Sequence, residues 1–130
     1  MATGFPATTG DVMTAAMFNG LVAYTINTQS GTTYTLASTD QYQALVITSN
    51  AGTKTVSIPT DAAVPGIANG TAVTILNTGA GLLTINAVTP GTTTVTSAGA
   101  VSASPTVAQY KAAVAIKTAT NAWTVVGSVA

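Results

Sequence analysis

The sequence predicts an all-β protein: a small antiparallel β-sandwich or jelly-roll-like barrel, preceded by an N-terminal extended arm with a short helix. Three observations carry this. Short runs of alternating apolar and hydroxyl side chains fill residues 21–130, broken by Gly, Pro and Asn clusters at intervals of about 8–12 residues. About a fifth of the 130 residues are threonine, whose branched Cβ favours strands. No apolar pattern of helical period is long enough to supply a βαβ unit.

The first twenty residues differ from the rest and form a separate arm, residues 1–20. Phe5-Pro6 starts an extended stretch, and Thr8-Thr9-Gly10 reads as a turn. Asp11 or Thr14 is an N-cap for a helix of at most two turns, with Asn19 or Gly20 as its stop. Both phenylalanines and all three methionines sit in this arm.

From Leu21 onward each apolar run reads as a strand of the second unit, residues 21–130. The candidates are 21–28, 32–37, 44–49 and 54–58, the last ended by Pro59. Asn50-Ala51-Gly52 between the last two is a hairpin signal. Residues 60–70 hold Pro65, Gly66 and Gly70 and read as a loop. Strands 71–77 and 82–88 follow, joined by Thr78-Gly79-Ala80-Gly81, which reads as a hairpin turn. Residues 92–97 carry Val95 between threonines. In 107–118, Ala108, Tyr110, Ala112, Val114 and Ile116 share one face, while Gln109, Lys111, Ala113, Ala115 and Lys117 share the other. The apolar set is expected inward, with core packing for Tyr110 and Trp123. A turn at Asn121-Ala122 leads into the last strand, where Trp123 and Val125 alternate with Thr124 and Val126.

Charge limits function more than fold does. Only Asp11, Asp40, Asp61, Lys54, Lys111 and Lys117 are charged, and the chain has no Glu, Arg, His or Cys. Charged residues are 5% of the chain and hydrophobic ones 47%. Nucleic-acid binding needs clustered cations on phosphates, and none are present. A membrane span needs about 20 consecutive apolar residues, and every apolar run here is shorter. Met1–Pro6 has neither the basic nor the apolar region of a secretory signal, so synthesis in a cytoplasm is expected.

Without histidine, a hydroxyl nucleophile has only a buried lysine as its base, and no signature surrounds Lys54, Lys111 or Lys117. The lysines read as exposed strand residues or inter-subunit partners. The aspartates fit no calcium-loop spacing and read as turn caps, so no metal or other cofactor is expected. Thr-x-Thr occurs at Thr33/Thr35, Thr53/Thr55, Thr92/Thr94 and Thr94/Thr96, but without the fixed period of a flat threonine array.

One resemblance spans most of the chain. Residues 34–36, Asp40, 45–47 and the run Asn50-Ala51-Gly52-Thr53-Lys54-Thr55-Val56-Ser57-Ile58-Pro59 resemble a small β-domain common in structural proteins of tailed bacteriophages. The segments 70–81 and 83–85, and the closing Asn121-Ala122-Trp123-Thr124-Val125-Val126-Gly127, are similar to the same domain. Residues 6–16 look like the openings of phage appendage proteins. The near absence of acidic residues departs from that pattern.

The resemblance implies a virion component: a capsid decoration (cement) protein, a head fibre or a tail-fibre module. We favour decoration. The arm then anchors to the major capsid protein through Phe5, Met13, Met17 and Phe18, and the β-domain forms a homo-oligomer, expected as a trimer. The alternative is a tail or head fibre module that binds host surface glycans, with Tyr34 and Tyr42 as the stacking aromatics. An enzyme is not expected.

Overall fold

In the computed structural model, the described residues are Ala15, 24–41 and 44–130. The arm and its expected short helix lie outside them, apart from Ala15. Eleven strands are present: β1 Thr25–Gln29, β2 Thr33–Thr35, β3 Ala44–Thr48, β4 Lys54–Ile58, β5 Ala72–Asn77, β6 Leu83–Ala87, β7 Thr94–Ser97, β8 Ala100–Val101, β9 Thr106–Val107, β10 Lys111–Ala119 and β11 Ala122–Gly127. A 3₁₀ turn, Ser38–Gln41, leads from β2 towards β3. No helix among the described residues is long and apolar enough to cross a membrane.

The strands form two sheets, one of seven in the order β1-β3-β5-β10-β11-β7-β8 and one of four in the order β2-β4-β6-β9. The expected antiparallel arrangement is corrected here, because both sheets are mixed. β1, β3 and β5 run parallel in the large sheet, and β2, β4 and β6 run parallel in the small one. The cause is the path of the chain. It alternates between sheets three times, β1 to β2, β3 to β4 and β5 to β6, so each return to a sheet runs in the same direction.

The turns at Asn50–Gly52 and Thr78–Gly81 therefore join strands of different sheets. They do not close hairpins within one sheet, as their composition suggests. Antiparallel pairing enters later, where β10 lies on β5, β11 on β10, β9 on β6 and β8 on β7. Among the described residues no closed barrel forms.

Period-2 alternation sends one set of side chains from each sheet into a shared hydrophobic cluster. In the large sheet Val46, Ile75 and Ala113 lie in register across β3, β5 and β10, and Val73, Ala115 and Val125 across β5, β10 and β11. In the small sheet Val56 pairs with Ile85, and Leu83 with Val107. All ten are buried.

The expected face of β10 is inverted. Ala113, Ala115 and Lys117 point into the protein, whereas Val114 and Ile116 are half-buried on the outer side. Tyr110 stands 76% exposed at a positive φ of 61°, while Trp123 is 2% exposed in the core. Hydrophobicity alone misassigned this strand because both of its faces are largely apolar.

The turns of successive coils stack in contact. A Cβ on Gly79 would run into the Asn50 carbonyl, and one on Gly81 into the Gly52 carbonyl. Only glycine lets the two backbones approach this closely.

Candidate association surface

The outer face of the seven-stranded sheet is built from the residues that alternate with the core rows. Register places Ile26, Leu45, Thr74, Val114 and Val126 in one row across β1, β3, β5, β10 and β11. A second row holds Thr28, Ile47, Leu76 and Ala112. A third runs Ala72, Ile116, Thr124, Thr96 and Val101. Ile26, Val101 and Val126 are 65%, 69% and 46% exposed. None of these three rows contains a charged residue.

The four-stranded sheet presents a different surface. Thr33, Thr55, Thr84 and Thr106 form a column across β2, β4, β6 and β9. Beside it lie Thr35, Ser57 and Asn86, with the Ser57 hydroxyl donating to Asn86 Oδ1 at 3.0 Å. The sequence motifs show no fixed period, yet the topology aligns these threonines, because loops of unequal length absorb the irregular spacing. One sheet thus turns aliphatic groups outward and the other hydroxyls.

Charge is withdrawn from the surface. Of the five charged residues among those described, Lys54, Lys117 and Asp40 are buried, Asp61 is half-buried and Lys111 is exposed. The expectation that the lysines are exposed is corrected for Lys54 and Lys117. Lys54 Nζ donates to the carbonyls of Asn50 at 2.8 Å, Gly81 at 2.7 Å and Gly52 at 3.4 Å, tying together two stacked turns. Burial pushes its pKa below the ordinary lysine value. All three acceptors around this amine are backbone carbonyls.

Lys117 Nζ lies 3.0 Å from Asp61 Oδ2 and donates to the Ile67 carbonyl at 2.7 Å. It pins the loop 60–70 to the sheet from both ends.

Asp40 caps a turn, as its position predicts. Its Oδ2 accepts from the Ala37 amide at 2.8 Å and from the Tyr34 hydroxyl at 2.6 Å, and its Oδ1 accepts from Asn27 Nδ2 at 3.0 Å. Burial, and then the hydrogen bond to Asp40, push the Tyr34 pKa up to about 12. A groove of about 360 Å³ lies over these residues. Its carboxylate and phenol hydrogen-bond each other, which places the half-buried Tyr34 in a structural network at the edge of this groove. Among the described residues no group of three acidic, histidine or cysteine side chains gathers where it could hold a metal.

The expected anchor residues Phe5, Met13, Met17 and Phe18 lie outside the described residues, as does Tyr42. The aliphatic rows that the structure does show were hidden in the sequence, because threonines and core residues interleave with them. The one available signal was the apolar character of both faces of residues 111–119. Comparison with known protein families, curated proteins and solved structures returns no match for this chain.

Proposed function

We propose that this chain is a structural protein of a tailed-phage virion, a capsid decoration protein that works by neutral surface association. The two sheets would enclose their shared core as a β-sandwich. The arm, through Phe5, Met13, Met17 and Phe18, would bury apolar surface on the major capsid protein. Copies of the domain would then stand side by side on the lattice.

One observation carries this reading. Three of the five charged residues described are buried in internal staples, which leaves Lys111 and the half-buried Asp61 on a described surface otherwise made of methyl, hydroxyl and amide groups. Such a surface loses little on being packed against another, because few ions have to be desolvated. Apolar burial supplies about 25 cal/mol per Å² before association costs, and many copies on one lattice add by multivalency.

Salt dependence tests the mechanism. Screening shortens from about 10 Å at 0.1 M salt to about 3 Å at 1 M, which weakens ionic contacts and spares apolar ones. Purified particles should retain the protein across that range. Substituting Ser for Phe5 and Phe18 together should release it. Absence from purified heads, or stripping by moderate salt, would sink the proposal.

A further inference from the structure

We infer that the outer face of the seven-stranded sheet is where two copies of this chain pair, face to face about a twofold axis. This inference concerns the β-domain alone and stands whether or not the arm binds a capsid.

The face is apolar beyond what isolated surface residues provide. Ile26, Val101 and Val126 are exposed, and the half-buried Leu45, Leu76 and Val114 lie in register on the strands between them. Contiguous apolar patches of this kind mark interaction sites.

The area suits a second copy. Seven strands at about 4.8 Å spacing and about 17–20 Å of strand length give roughly 600 Å² per copy, or about 1,200 Å² for a pair. That is the lower end of the range for specific interfaces, so a weak, concentration-dependent dimer is expected.

Chemistry selects the occupant. A partner of ordinary surface composition carries about one charged residue in four, and those charges would be buried against methyl groups without counter-ions. A second copy brings a face as neutral as the first. A twofold contact also asks only that one patch be self-complementary. Here Thr74 and Ala112 make low points beside Leu45 and Leu76, so the ridges of one sheet can seat in the hollows of the other at the usual spacing of about 10 Å. The small sheet offers less for such a contact, since its outer rows are hydroxyl and amide groups whose burial gains less than that of aliphatic ones. The trimer expected from the resemblance would need two different patches on each copy, and this face supplies one.

Sedimentation velocity of the full chain from about 1 µM to 1 mM tests the inference. The wild type should pass from monomer to dimer within that range. Ile26→Asp and Val126→Asp, both at exposed positions that leave the core intact, should each weaken dimerisation at least 30-fold. Thr33→Asp, on the outer face of the small sheet, should leave it unchanged. Circular dichroism confirms that each variant is folded.

Several results would overturn the pairing: a wild type that stays monomeric to 1 mM, a trimer, equal disruption by Thr33→Asp, or dimers indifferent to both Ile26→Asp and Val126→Asp. Monomers that dimerise only after residues 1–23 are removed would show that the chain covers this face itself, and would likewise refute it.

Discussion

Removing the Asp61 carboxylate should reveal what the buried Lys117 ammonium costs. Asp61→Ala leaves Lys117, 5% exposed, with the Ile67 carbonyl as its remaining side-chain acceptor. Breaking a fully buried ion pair from one side costs about 3–5 kcal/mol, whereas an exposed pair contributes about 0–1 kcal/mol. Asp61 itself is 30% exposed, so water can partly replace it. The expected cost is therefore intermediate, about 2–3 kcal/mol. For a chain of this length that lowers the melting midpoint by roughly 6–12 °C.

The double variant Asp61→Ala with Lys117→Met separates a lost contact from a stranded charge. Methionine fills the same space without a charge, so the double variant should recover most of the loss and give a coupling above about 1 kcal/mol. Urea unfolding of the four proteins at neutral pH measures this cycle. If Asp61→Ala costs less than about 0.5 kcal/mol, the pair behaves as a surface salt bridge and the burial argument is wrong.

Three further outcomes follow from the same geometry. Gly79→Ala and Gly81→Ala should each cost about 3 kcal/mol or abolish folding, because the added methyl meets backbone, while Gly91→Ala, with open space around it, should be tolerated; equal midpoints for all three would contradict the stacked turns. Tyr34 has its pKa raised to about 12 from 10.0, so its contribution is complete below pH 10 and is lost as pH rises through 12; Tyr34→Phe should remove that alkaline fall from a stability-against-pH curve. Lys54 has its pKa lowered by burial, so the unfolded chain holds its proton longer and stability should rise with pH towards 10.5, a slope that Lys54→Met should abolish.

Much of the fold was legible because its signals are local. Thr55 and Ser57 alternating with Val56 and Ile58 fix β4, and the predicted bounds of that strand match the observed ones. Asp40 as a turn cap follows from its short side chain and its place after Ser38-Thr39. The glycines at 79 and 81 announce a tight turn, but their composition cannot say whether the next strand stays in the same sheet. Lys54 and Lys117 were misplaced for a related reason. A lysine is buried only where carbonyls converge on it, and the Gly81 carbonyl reaches Lys54, and that of Ile67 reaches Lys117, from distant parts of the chain.

The sequence by itself determined a β-rich chain of short strands, poor in charge and without the residues that most enzymes use. Those properties belong to composition and to period-2 alternation, which act within a few residues. The tertiary structure decided which strands run parallel, which face of β10 turns inward, and where the few charges go. Each of these depends on contacts between residues far apart in the chain, because the core rows are completed only when three coils stack. The scarcity of charge is a fact of the sequence. That three of the five charged residues described are buried, and that one sheet is outwardly aliphatic, are facts of the fold.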